Sequence, residues 1–257
     1  MDVALITPYD RLADTVGRPY HMLLPSCLHN REYVETYGSM TRVNGKPYFI
    51  LDNGMFEGSM VSNERLIEQA EALWIDELIM PDVRGSMWET ISKVVDFLRV
   101  FECAKFTRAP KLGIVIQIKE YEEVPRFLHS VQNLEDQFLG VNEMFTICIP
   151  RKLAEGPLGP RARIEIVSWI RDMNMNNPIH LLGFSREGGV YETRSLSDKV
   201  RSMDTGLPYV CAAKDVKINM VGGDFPEAPN FMDVTDYDDE FVKHNIFNID
   251  RWACGKL

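Results

Sequence analysis

The stretch Tyr48–Glu57, YFILDNGMFE, decides the fold. Four apolar or aromatic residues, Tyr48 to Leu51, run without a polar break. Such a run reads as a short strand buried on both faces, as strands of a parallel sheet are. It stops at Asp52-Asn53-Gly54, where a carboxylate, an amide and a glycine meet the strand end. Two readings stand side by side: a helix-capping turn behind a core strand, or one wall of a site. The second gains weight because the same design recurs along the chain.

Upstream, Met1–Thr7 and His21–Leu28 are apolar, and one or both form strands. Arg31–Gly45 is polar and turn-rich, with Asn44-Gly45 as a tight turn. Downstream, Ser62 suits the N-cap of a helix whose apolar face is Leu66, Ile67, Ala70, Leu73 and Trp74. Glu77–Met80 is the next apolar run and ends at Pro81-Asp82. A helix follows on Ile91, Val94, Val95, Leu98 and Phe101, then the strand Leu112–Ile116, ending at Gln117. Val124, Phe127, Leu128 and Val131 mark a third helix. Phe138–Val141 and Phe145–Ile149 compete for one strand position. A Gly/Pro loop at Glu155–Pro160 leads to a fourth helix on Ile164, Val167, Ile170 and Met173, and Pro178–Phe184 is a strand. Glu187–Ser197 reads as a polar, flexible loop, and Ser202–Ala213 holds a further strand-like run. From Gly222 the chain turns acidic, an extension over about 222–257 that ends in a short helix or strand at Val242–Trp252.

Strands alternating with helices of this length mean βαβ units and a parallel sheet. The expected fold is α/β, a (β/α)8 TIM-like barrel that tolerates irregularity, with an open doubly wound sheet second. No GxGxxG follows the first strand and no GxxxxGK[ST] occurs, so the nucleotide-binding versions lack their fingerprints. The 257 residues suit a single barrel domain spanning the chain, since such barrels run to ~200–250 residues. No stretch reaches the ~20 apolar residues of a membrane helix, and the acidic residue at position 2 does not suit a signal peptide. The five scattered cysteines, an odd number without a CxxC pair, read as reduced core thiols of a cytoplasmic protein. A net charge of −10 argues against broad phosphate binding, though not against a local basic patch. Arg151-Lys152 with Arg161 and Arg163 is one candidate, and Arg194, Lys199 and Arg201 another; each competes with a plain solvated surface.

In such a barrel the site lies at the C-terminal strand ends. Those ends carry Asp52-Asn53, Asp82, Gln117, either Asn142-Glu143 or Arg151, Ser185 and the Asp204 segment. Asp52, Asp82 and Glu143 are of the type that holds a divalent cation. The histidines do not support a transition-metal site: His21 and His180 begin their strands and are expected to point to the far end, and His29 stands alone. A site without metal or cofactor remains the first reading. There, paired carboxylates suit glycosyl transfer. A further Asp with a Gln suits the donor and acceptor edge of guanine.

At this point five motifs, in order, make the chain resemble the tRNA-guanine transglycosylase family of (β/α)8 barrels. Leu51–Glu57 is similar to the family's TDSGGFQ, Met80-Pro81-Asp82 to its FDE, and Gly113–Gln117 to its GIVQG. Ile179–Phe184 is similar to its YLMGVG and Met203–Pro208 to its FDCVLP. The resemblance covers about Pro47–Tyr209. It implies that Asp204 is the nucleophile, that Asp52 handles protons, and that Asp82 and Gln117 hold the base edge. It further implies that Asn53, Gly54 and Gly183 line the pocket and that Phe56 stacks near the base. The family's CxCxxC…H zinc site has no counterpart, since only Cys211 and Cys254 fall in that region. The glycine-rich GGLAVGE loop has only Leu139–Glu143 as a candidate. The short zinc-less paralogues of phages and bacteria, which insert 7-deazaguanines into DNA, are the best match. The implied partners are DNA, or tRNA, with a target guanine, and a free 7-deazaguanine such as preQ0. A non-catalytic nucleic-acid-binding barrel and a Mg²⁺-dependent barrel hydrolase are the alternatives.

Overall fold

Eight strands of three to five residues pair in parallel, each with its sequence neighbour: β1 (Asp2–Leu5), β2 (Tyr20–Leu23), β3 (Tyr48–Leu51), β4 (Glu77–Ile79), β5 (Lys111–Val115), β6 (Thr146–Pro150), β7 (Ile179–Leu182) and β8 (Ser202–Thr205). β8 returns to β1, with Asp2 opposite Ser202 and Leu5 opposite Thr205, so the sheet closes. The expected (β/α)8 barrel is therefore the fold. The computed structural model describes residues 1–41, 45–55, 58, 61–140, 143–184, 189–219, 225–226, 232 and 237–255. No helix of the described residues is long and apolar enough to cross a membrane.

The helices are α1 (Arg31–Met40), α2 (Asn63–Ala72), α3 (Met87–Cys103), α4 (Val124–Phe138), α5 (Ala162–Asp172), α6 (Gly189–Leu196), α7 (Leu207–Ala212) and α8 (Asp239–Ala253). Asn30 caps α1 and Ser62 caps α2 through their side-chain oxygens, satisfying backbone N–H groups of the first turn. The barrel is irregular in one place: β1 and β2 are joined by a 3-10 turn, Tyr9–Thr15, in place of an α-helix. α8 packs on β1, α6 and α7. Ion pairs from Arg11 to Asp239 and from Arg18 to Asp250 tie it to the turn segment. The end of the acidic extension is thus a helix that covers a strand lacking one of its own.

Several expectations change. Arg31–Gly45 contains a helix whose buried face is only Tyr33 and Tyr37. Glu187–Ser197 contains α6, and within Ser202–Ala213 the strand is Ser202–Thr205, while Leu207–Ala212 is helix. Phe145–Ile149 supplies the strand that competed with Phe138, which ends α4. Trp74 lies beyond α2 in the left-handed region, φ 51°, and is exposed, so it is not part of that helix's apolar face.

The barrel interior is packed, and its filling sets where a site can be. Ala4, Met22, Ile50, Ile79, Val115 and Cys148 form a separate apolar cluster inside the strands. Gly113 belongs to the same layer: a Cβ there would stand 2.8 Å from Ile79 Cδ1 and 2.9 Å from Cys148 Sγ. Below the plug is a polar floor. Arg201 donates to both oxygens of Glu77, at 2.7 and 2.9 Å, and Tyr48 donates to Glu77 at 2.8 Å. β4 and β8 stand on opposite sides of the ring, so the pair crosses the barrel. Burial alone would raise the Glu77 carboxyl. The hydrogen bonds and charge of Arg201 outweigh that and hold it below its ordinary 4.5.

Two outcomes follow from this packing. Gly113→Ala overpacks the plug and is expected to destabilise by about 1–3 kcal/mol. Adding Cys148→Ala should return part of that loss; equal urea midpoints for Gly113→Ala and wild type would show that the interior is looser than described. The lowered Glu77 carboxyl adds stability that is full above its unfolded value and is lost as pH falls through the folded one. Arg201→Met leaves the buried Glu77 with Tyr48 but without its cation and should cost about 3–5 kcal/mol near neutral pH. Its deficit should shrink as pH drops and the lone carboxyl is protonated, which urea unfolding at neutral and acid pH would measure.

Candidate functional site

Of the residues expected at the ends of β3 to β5, Asn53, Asp82 and Gln117 meet. Asp52 and Asn53 directly follow β3, where the chain leaves the barrel. Both side chains fold back on the turn: Asp52 Oδ2 accepts from Gly54 N–H at 3.1 Å and Asn53 Oδ1 from Met55 N–H at 2.9 Å. Asn53 Nδ2 then donates to Met80 O and to Asp82 Oδ1, both at 2.8 Å. Gln117 follows β5 and donates to the other oxygen of Asp82 at 2.5 Å, while its own Oε1 accepts from Gly85 N–H at 2.9 Å. The amide orientations follow from these partners, because each carbonyl oxygen faces a backbone donor. Asp82 is 3% exposed. Its burial raises the carboxyl above the ordinary carboxylate range, against the pull of Asn53 and Gln117.

The second cluster stands on β7 and β8. Asp204 lies within β8, and its Oδ1 accepts from Gly183 N–H at 3.0 Å. The same oxygen meets His180 Nε2 at 3.1 Å. No hydrogen bond from the described residues reaches Oδ2. Gly183 has φ +74°, the left-handed region that favours glycine, and a Cβ there would stand 2.9 Å from Arg151 Cδ. Its carbonyl accepts from Arg163 at 2.7 Å. Arg163 is buried and paired with Glu192 on α6, so this end of β7 is held from behind by a buried ion pair.

Burial pushes the Cys148 thiol well up, and the charges of Glu77, Asp204 and Asp52 add to the shift while Arg201 opposes it. Such an arrangement provides one fixed carboxylate with an open oxygen, a second carboxylate in partial contact with solvent, and an amide–carboxylate cluster of donors and acceptors.

His180 was expected at the far end of the barrel, and this is corrected: it lies directly beneath Asp204. His21 is buried too, but it stacks on Phe49 with ring centroids 5.4 Å apart and packs against Tyr37 of α1. His29 is near the rim and bonds Ser26 O. Glu143 precedes β6 and so stands at the opposite end from Asp52 and Asp82, which removes it from the rim. Leu139 and Gly140 go with it. Among the described residues, no three His, Cys, Asp or Glu side chains are grouped to hold a metal ion. The two basic patches dissolve in part, since Arg163 and Arg201 are committed to Glu192 and Glu77. Phe56, Asn142 and Ser185 lie outside the described residues. No protein-family model matches the chain, and no curated protein matches its sequence.

Asn53→Asp tests the upper cluster. It places a second carboxylate within hydrogen-bond reach of Asp82 Oδ1, so one of the two carboxyls is forced toward its protonated form. A carboxyl whose folded value is raised keeps its stability below the unfolded value and loses it as pH rises. The variant should be less stable than wild type by about 1–3 kcal/mol near neutral pH. It should approach wild type in acid, as read by thermal melts across pH.

Proposed function

We propose that the chain is a base-exchange transglycosylase that replaces guanine in a polynucleotide with a 7-deazaguanine of the preQ0 type. The observation that carries this reading is Asp204: both donors hold Oδ1, and Oδ2 is left for attack. Oδ2 forms a bond to C1′ of the target nucleoside as the C1′–N9 bond breaks and its electron pair leaves on guanine. Asp52, as the acid, gives that guanine a proton. The incoming base then surrenders its N9 proton to the Asp52 carboxylate. Its N9 attacks C1′, and Asp204 departs as a carboxylate. Covalent catalysis of this kind splits one difficult substitution into two easier ones.

Asp82 and Gln117 take the edge of the base. Asp82 already accepts one hydrogen bond on each oxygen, and each oxygen keeps a second acceptor site for guanine N1–H and N2–H. Asn53 holds Asp82 in place, and Gly54 and Gly183 line the pocket. Chemistry at C1′ requires the guanosine to leave a duplex stack. DNA is favoured over tRNA because only Cys211 and Cys254 stand in the region where the tRNA enzymes carry their CxCxxC zinc ligands. The reaction belongs in the cytoplasm, that of the host for a phage-encoded enzyme.

The test is nucleoside mass spectrometry of DNA and tRNA from cells that express the chain and are supplied with preQ0. The deazaguanine nucleoside is expected in DNA. Its appearance in tRNA alone would move the substrate to tRNA, and its absence from both, with folded protein present, would end the reading. Asp204→Asn should abolish exchange and the trapped covalent adduct while its melting curve stays two-state.

A further inference from the structure

The polar floor and Asp204 are joined by a continuous line of hydrogen bonds. Glu77 accepts from the Arg201 guanidinium, and Arg201 Nε reaches Ser202 Oγ at 3.2 Å. Ser202 Oγ lies 2.8 Å from His180 Nδ1, and His180 Nε2 lies 3.1 Å from Asp204 Oδ1. Glu77, Ser202 and His180 are fully buried and Asp204 is 5% exposed. The chemistry of the end members gives the line a direction. The Asp204 carboxylate only accepts, so the imidazole proton sits on Nε2, facing it. A neutral imidazole then has Nδ1 as its acceptor, so Ser202 O–H points to Nδ1 while Ser202 Oγ accepts from the Arg201 guanidinium, which only donates.

We propose that His180 is the positioning residue of the nucleophile, held in its Nε2–H tautomer by Ser202 and by the Arg201–Glu77 pair behind it. With Gly183 N–H it clamps Oδ1 and turns Oδ2 to the barrel mouth. This role rests on the transglycosylase reading. In the first half-reaction Oδ2 forms the C1′ bond and Oδ1 becomes the ester carbonyl oxygen. In the second half-reaction the C1′–Oδ2 bond breaks and the electron pair returns to the carboxylate. His180 and Gly183 already donate to that carboxylate as its charge is restored, with no reorganisation. His180 itself forms no covalent bond and transfers no proton.

Two measurements separate this inference from the reading beneath it. The first needs no activity: nitrogen–proton correlation spectra of the whole protein with isotope-labelled histidine, at about pH 8, above the ordinary imidazole range. The His180 signals are identified by their loss in His180→Gln. A single Nε2–H tautomer is expected, and Ser202→Ala should turn it into a mixture. An Nδ1–H tautomer in wild type overturns the proposal whether or not exchange occurs. The second is exchange kinetics. His180→Leu should lower kcat by roughly 100-fold, the usual effect of deleting one oxyanion donor, with KM little changed. His180→Gln, which can reach Asp204 with an amide N–H, should recover at least about tenfold of that loss. Equal kcat for the Leu and Gln variants would reduce His180 to packing. An Nε2–H tautomer in a wild-type protein that exchanges nothing would leave the hydrogen-bond line standing and sink the reaction assigned to it.

Discussion

The Glu77 carboxylate is fully buried inside a barrel, and among the described residues Arg201 is its ion-pair partner, with Tyr48 as a further donor. Taking a carboxylate out of water costs several kcal/mol, and a partner rarely returns much more than that. An apolar pair of the same volume would serve stability as well. What the ion pair supplies is a fixed point: it spans from β4 to the start of β8, and its guanidinium has a donor left for Ser202. The line from Ser202 through His180 to Asp204 stands on that donor.

The strands were legible because a parallel barrel strand is buried on both faces and reads as a plain apolar run. Tyr48–Leu51, Leu112–Ile116 and Phe145–Ile149 all show this. The same rule misled at Leu207–Ala213, since a short apolar run has no period and a buried helix satisfies it equally well. α1 and α6 were hidden for the opposite reason. α1 buries little but two tyrosines, and α6 turns Glu192 inward because Arg163 waits there. A buried charge is visible in sequence only once its partner is known, and the partner here is 29 residues away.

Of the candidate site, the strand-end residues were legible and the support beneath them was not. Asn53, Asp82 and Gln117 share a cluster because three neighbouring strands must end on one rim. His180 was misplaced by treating a strand start as remote from the rim. β7 and β8 are only four residues long, and His180 is level with Ser202, two residues below Asp204. Two residues of strand rise about 6.6 Å and return to the same face. A ring that reaches Ser202 from one nitrogen can reach the next level from the other. Depth in so short a barrel is measured in side-chain lengths.

Under the proposed exchange reaction, the two upper carboxylates differ in ways that bear on which one attacks. A nucleophile gains from being fixed before the reaction, because its orientation is then not lost at the transition state. Asp204 meets this: it is buried and held by two donors from neighbouring strand β7 on one oxygen. A proton carrier must change its charge twice per turnover and exchange partners between the departing and arriving bases. Asp52 suits that task, being half-buried on a turn at the rim. The strand-end reading alone treated the pair as equivalent. Their surroundings do not: the hydrogen-bond line from Arg201 through Ser202 and His180 ends on Asp204.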